Sequence, residues 1–168
     1  MWTSPLSRSK KSPRRMSPRT THPHQRTTKM ALKPEATLYK RLRDNVPDCH
    51  FTRIESRVNL GIPDCLLAFP HGLFVMVELK VVKRGRKIAL SPHQVAFHVK
   101  HADLNCPTYI LVQYFPPGTT HASKSELLLY CGEQALDVAR LGVDTPALAR
   151  WPWTGISWPA LRAHLVDS

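Results

Sequence analysis

Three charged residues sit in the most apolar part of the chain. The run GIPDCLLAFPHGLFVMVELK, residues 61–80, is dominated by Leu, Val, Phe and Met, yet carries Asp64, Glu78 and Lys80. An unpaired charge is expensive to bury, so these groups need partners. Side chains alternate between the faces of a strand. Glu78 and Lys80 therefore share one face, while Leu73, Val75, Val77, Leu79 and Val81 fill the other and can enter a core. Asp64 opens the preceding apolar stretch, and Pro70-His71-Gly72 joins the two stretches as a hairpin. A tight connection brings Asp64 beside the Glu78 end of its neighbour. Two carboxylates and an ammonium then meet on one patch, a grouping that suits Mg²⁺, which takes hard oxygen ligands and keeps several waters. The backbone carbonyl of Leu79 is a further ligand candidate. Such an ion polarises a phosphoryl oxygen and acidifies a water, with Lys80 near that water or the charge developing on the phosphate. The competing reading is a salt-bridged triad on a solvated strand face.

Pro63-Asp64, about a dozen residues and then Glu78-Leu79-Lys80 resemble the PD-(D/E)xK nuclease signature. The fuller run RVNLGIPD…FVMVELK…LSPHQ is similar to the VRR-NUC and phage Holliday-junction-resolvase-like branch of that superfamily, over roughly residues 34–115. The resemblance implies a restriction-endonuclease-like α/β fold, a mixed β-sheet flanked by helices with an α-β-β-β-α-β core. It implies Mg²⁺- or Mn²⁺-dependent hydrolysis of DNA phosphodiesters, with junctions, flaps, plain duplex and single strands as candidate substrates. Asp64 and Glu78 would hold metal and Lys80 would assist the attacking water. DNA is the implied partner and a homodimer an implied assembly, since two cuts need two sites. No small-molecule organic cofactor is expected.

Several elements must position these groups. PEATLYKRLRDNV, 34–46, has Pro at the first helical position and Leu38, Leu42 and Val46 at helical spacing. Glu35 lies at the end of that stripe, where it can turn toward the sheet as a metal ligand, the role the resemblance maps to it. A helix dipole alone also favours an acid there. FTRIESRV, 51–58, alternates as a strand, and PTYILVQYF, 107–115, is rich in β-branched and aromatic residues. Residues 91–104 form a predicted helix opened by Ser91-Pro92-His93-Gln94, a capping box in which Gln94 reaches back to Ser91. In the family a Gln here also packs against the active site. His98 and His101 follow on the same face, where they line a DNA groove or lie solvated. A short strand at 126–131, a short helix at 132–142 and another after Trp158 complete the order. A mixed sheet flanked by helices is the natural architecture.

Basic residues cluster nearby. Lys83, Arg84, Arg86 and Lys87 occupy a glycine-containing loop directly after Lys80, and Arg53 and Arg57 share a face of the first strand. With His93, they are the candidate nucleic-acid contacts, sequence-independent and salt-sensitive. A solvated charge run is the bland alternative.

The 168 residues carry a formal net charge of +12. Eight of the 24 basic residues lie in 1–29, which has no acid, so the remainder has 16 basic against 12 acidic residues, a net of +4. That segment is rich in Ser, Thr, Pro and Arg and cannot bury enough surface to order itself. It fits a basic arm, a transit peptide or an untranslated stretch preceding a true start at Met30, the favoured reading. The expected organisation is a disordered tail at 1–29, a nuclease core at 30–118 and a C-terminal extension at 119–168 packed on it. Trp151, Trp153 and Trp158 in that extension suit packing over the sheet, stacking on bases or a dimer contact, with core packing or a lid the bland choice. Cys49, Cys65, Cys106 and Cys131 form no CxxC pair, which argues for reduced thiols, some of them core fillers. No apolar run reaches the roughly 20 residues of a membrane span. A cytoplasmic setting in a bacterial or phage-infected cell, with no membrane partner, is expected. The rivals are a non-catalytic nucleic-acid-binding or assembly module on the same fold and a basic membrane-surface or ribosome-associated protein.

Overall fold

The structure, a computed structural model, describes residues 34–54 and 61–167. The tail at 1–29, Met30 and Arg57 lie outside the described residues. The elements are α1 (Pro34–Asn45), β1 (His50–Arg53), β2 (Cys65–Ala68), β3 (Phe74–Val82), α2 (Pro92–Ala102), β4 (Thr108–Tyr114), β5 (Glu126–Cys131), α3 (Ala135–Leu141), β6 (Ala149–Pro152) and α4 (Trp158–Val166). Among the described residues, six strands form one sheet in the order β1-β2-β3-β4-β5-β6. Every neighbouring pair is antiparallel except β3 and β4, which run parallel. A parallel pair needs a crossover, and α2 supplies it. The expected order α-β-β-β-α-β is therefore present as α1-β1-β2-β3-α2-β4, in a mixed sheet flanked by helices.

Alternation along the strands creates two cores. On one face, Val75, Val77 and Leu79 of β3, Tyr109 and Leu111 of β4, and Leu127 and Leu129 of β5 pack with Leu38 and Leu42 of α1 and Leu161 and Leu165 of α4. On the other, Ile110, Val112 and Tyr114 of β4 and Leu128 and Tyr130 of β5 pack with Ala135 and Val138 of α3, with Val95 of α2 against them. From β3 this second cluster receives only Val82. The two other central positions of β3 on that face are Glu78 and Lys80, so the charges interrupt an otherwise apolar surface. The hairpin between β2 and β3 turns at His71 and Gly72, both with positive φ, and closes with the Phe69 N–H donating to the Leu73 carbonyl at 2.8 Å.

Residues 119–168 supply β5, α3, β6 and α4. Two of these continue the same sheet, and residues 34–167 belong to one compact unit. β6 has no counterpart in the sequence reading, because Ala-Arg-Trp-Pro is short and ends in proline; a sheet edge tolerates that proline. The expected strand 51–58 is present only to Arg53, with 55–60 outside the described residues. Trp153 is buried, Trp151 and Trp158 pack against the same core, and the Arg41 guanidinium lies 4.4 Å from the Trp153 ring while donating to its carbonyl at 2.7 Å. The tryptophans thus serve core packing. All four cysteines are free, and Cys65 is a core filler.

Candidate active site

Register decides where the charges meet. Arg53 pairs with Cys65, and the Ile54 N–H donates to the Asp64 carbonyl at 2.8 Å, which fixes the backbone at Asp64. Cys65 pairs with Val77, and continuing that register sets Asp64 opposite Glu78. Asp64 Oδ2 accepts the Leu79 N–H at 2.9 Å. The N–H and carbonyl of a strand residue point to the same edge, so the Leu79 carbonyl also faces the Asp64 side, where β2 has ended. Lys80 Nζ lies 2.8 Å from Glu78 Oε1. Asp64, Glu78 and Lys80 therefore converge as their spacing suggests.

Gln94 joins them. Its Nε2 donates to Glu78 Oε1 at 2.5 Å, and its Oε1 accepts from Lys80 Nζ at 3.2 Å. The same Oε1 accepts the Ser91 N–H at 3.0 Å while Ser91 Oγ accepts the Gln94 N–H at 3.2 Å. The capping box and the site contact coexist, because a first-turn side chain of α2 can reach both its own cap and the strand beneath. Gly61 makes the approach possible. It has φ +98°, and a Cβ there would stand 2.5 Å from the His93 carbonyl oxygen. The loop that delivers Asp64 is thus pressed onto the start of α2, which explains the glycine three residues before the aspartate.

Glu78 is 1% exposed, and its Oε2 has no hydrogen-bond partner. Burial, and secondarily the negative charge of Asp64, push its carboxyl up to about 7, against the opposing pull of Lys80. Burial, with the Asp64 and Glu78 charges behind it, pushes the Cys65 thiol up to about 12. A cation beside Glu78 would favour its ionised form. Orphaned Oε2, the neighbouring Asp64 carboxylate and the Leu79 carbonyl edge make a set of hard oxygens, the donor type Mg²⁺ and Mn²⁺ take.

Glu35 stays apart from this set. Among the described residues no three His, Cys, Asp or Glu side chains gather closely enough to hold a metal ion. α1 packs its Leu38 and Leu42 on the Val77 and Leu79 face, opposite the one that carries Glu78. A helical stripe places Glu35 in line with those leucines but does not say which face of the sheet they cover.

The basic candidates separate. Lys83, Arg84, Arg86 and Lys87 are all exposed on the loop from β3 to α2. Arg86 is tied down: its Nε donates to Asp144 Oδ2 at 2.9 Å, its Nη2 also contacts that carboxylate, and its carbonyl accepts the Val143 N–H at 2.9 Å. It anchors the loop to the 142–144 turn. Arg53 lies on the edge strand with its guanidinium 5.3 Å from the Tyr39 ring. His93 is exposed on the first turn of α2.

His98 departs from expectation, since it neither lines a groove nor meets solvent. It is fully buried, with Nδ1 3.0 Å from Thr108 Oγ1 and Nε2 unpartnered. Burial, and then the neighbouring His101 and Lys80, lower it to about 4, so it is neutral. Its spacing four after Gln94 is the signal that places it on the sheet-facing side of α2. His101 stacks on Phe97 at 3.8 Å with Nδ1 2.7 Å from the Phe97 carbonyl. The Arg86–Asp144 pair left no sequence signal, since its members are 58 residues apart.

No helix among the described residues is long and apolar enough to cross a membrane. No family model matches the chain, and no curated protein matches it. Among solved structures the chain is similar to Hjc, a Holliday junction resolvase from the archaeal hyperthermophile Archaeoglobus fulgidus, at 14% sequence identity and a TM-score of 0.41, covering 60% of this chain and 75% of that one.

Proposed function

We propose that the protein is a divalent-metal-dependent DNA endonuclease of the PD-(D/E)xK type on a restriction-endonuclease-like fold, with junctions and flaps as the first substrates to test beside plain duplex and single strands. The observation that carries this reading is Glu78: a buried carboxylate with one oxygen unpartnered, set against a second carboxylate and an ammonium. A structural salt bridge would not need Asp64 there, because its charge raises the cost of ionising Glu78.

Asp64 and Glu78 would hold Mg²⁺ or Mn²⁺, with the Leu79 carbonyl as a further oxygen and waters completing the shell. When bound, such an ion polarises a phosphoryl oxygen and acidifies water. Lys80 Nζ, steered by Glu78 Oε1 and Gln94 Oε1, orients the attacking water and meets the charge developing on the phosphate. Gln94 fixes both side chains through its two amide ends, so α2 positions the reacting groups. Glu35 would assist only if α1 shifts its first turn toward the site. Arg53, Arg57, Lys83, Arg84, Lys87 and His93 would contact the DNA backbone, with Arg86 holding the loop.

The test is cleavage of labelled four-way junction, flap, duplex and single-stranded DNA with Mg²⁺, Mn²⁺ or EDTA, by wild type and Lys80→Ala. Metal-dependent cutting lost in Lys80→Ala is the expected result. Salt-sensitive binding with no cutting of any substrate in either metal would refute catalysis and leave a non-catalytic binding module.

A further inference from the structure

We propose that the cleft between residues 83–85 and residues 115–120 is a second nucleic-acid subsite, which takes a nucleotide of the bound strand away from the scissile phosphate. The inference rests on the nuclease reading for its ligand class and deepens it: that reading gives Lys83 and Arg84 to the DNA backbone, and the further step is the cleft they share with Phe115, Pro116, Thr119 and Thr120.

The cleft follows from the parallel pairing of β3 and β4. Val82 pairs with Tyr114, so the two strands leave the sheet side by side, and the Phe115 N–H donates to the Val82 carbonyl at 2.9 Å. The loops then diverge around a cavity of about 330 Å³, near the lower end of the roughly 300–1,000 Å³ of small-molecule sites. Lys83 and Arg84 line it from the loop after β3, and Phe115, Pro116, Thr119 and Thr120 from the loop after β4. Both loops turn through a left-handed glycine, Gly85 with φ +72° and Gly118 with φ +77°, and nothing lies within 4 Å of a Cβ placed at either. The turns leave the mouth open.

The lining has two cations, two hydroxyls, apolar Phe115 and Pro116, and no acid. Neither Lys83 nor Arg84 forms an ion pair with a described residue, in contrast to Arg86 beside them. A guanidinium fork and an ammonium suit a phosphodiester. Threonine hydroxyls donate to phosphate or sugar oxygens, and Phe115 with Pro116 covers the apolar face of a sugar or base. Position selects a strand over a free anion. Lys83 follows Lys80 by three residues, about 10 Å of strand, or about three nucleotides of rise at ~3.4 Å each. A strand whose scissile phosphate lies at Lys80 is within reach of the cleft, which opens where β3 ends.

The experiment uses the full chain in EDTA, with fluorescence anisotropy on labelled DNA whose phosphates are replaced one at a time by neutral methylphosphonates. Wild type is compared with Lys83→Ala/Arg84→Ala, Thr119→Val/Thr120→Val and, as a charge control, Lys100→Ala on the exposed side of α2. A methylphosphonate at one or two neighbouring positions should weaken wild type about tenfold, the loss of one charged hydrogen bond, and leave Lys83→Ala/Arg84→Ala unchanged. That variant should also lower the salt slope by about 2, whereas Thr119→Val/Thr120→Val weakens binding several-fold with the slope intact. Equal sensitivity of wild type and Lys83→Ala/Arg84→Ala at every position, or a loss in Lys100→Ala as large per charge, would overturn the subsite. Position-specific coupling without cleavage in any metal would refute the nuclease reading alone, and cleavage without coupling would refute the subsite alone.

Discussion

Replacing Glu78 by glutamine should stabilise the metal-free protein at pH 8. The Glu78 carboxyl ionises near 7 in the folded chain instead of near 4.5. Between those values the folded state holds a proton that the unfolded state has released, so stability falls as pH rises through the window. The contribution is fully present below 4.5 and lost above 7. At about 1.4 kcal/mol per pH unit, the ionised carboxylate costs the folded state ~3 kcal/mol at pH 8. Glutamine has the shape of the protonated acid and keeps Lys80 within reach of Gln94 Oε1, so it escapes that cost. Urea unfolding in EDTA at pH 4.5 and pH 8 measures it. The Glu78→Gln variant should match wild type within about 1 kcal/mol at pH 4.5 and exceed it by ~3 kcal/mol at pH 8, roughly 6–12 °C in Tm for a chain of this size. Mg²⁺ should raise wild-type stability at pH 8 by mass action and leave the variant unmoved. A variant less stable than wild type at pH 8, or a difference independent of pH, would refute the account of Glu78 as a buried charge awaiting a cation.

His98 should act with the opposite sign. Its folded value near 4 lies below the ordinary 6.5, so its contribution is present above 6.5 and lost as pH falls toward 4; His98→Gln should flatten the acid limb of the urea profile. Gly61→Ala meets the His93 carbonyl at 2.5 Å from a left-handed backbone and should cost about 2 kcal/mol or more, with cleavage falling further than stability because Asp64 and Gln94 part; parallel unfolding and cleavage assays check this. Trp153→Ala empties a buried site and should cost about 3–5 kcal/mol in urea unfolding, with metal affinity per folded molecule unchanged.

The sequence by itself determined the central strand and its charges. Val75, Val77 and Leu79 alternate with Glu78 and Lys80, and period two assigns faces with no knowledge of what covers them. The capping box at Ser91–Gln94 was equally legible, since it is a local hydrogen-bond pattern. Tertiary structure decided the rest. Glu35 has helical spacing with Leu38, but only packing tells which side of the sheet α1 covers, and it covers the side away from Glu78. Arg86 reads like its basic neighbours until Asp144, distant in the chain, is folded against it. His98 looks like a surface histidine until α2 is laid over β4 and Thr108. β6 is too short and proline-bounded to announce itself, and it exists because β5 offers it an edge. Local periodicity fixes direction along one element; which element lies opposite is a long-range fact, and partner choice for a charge follows from it.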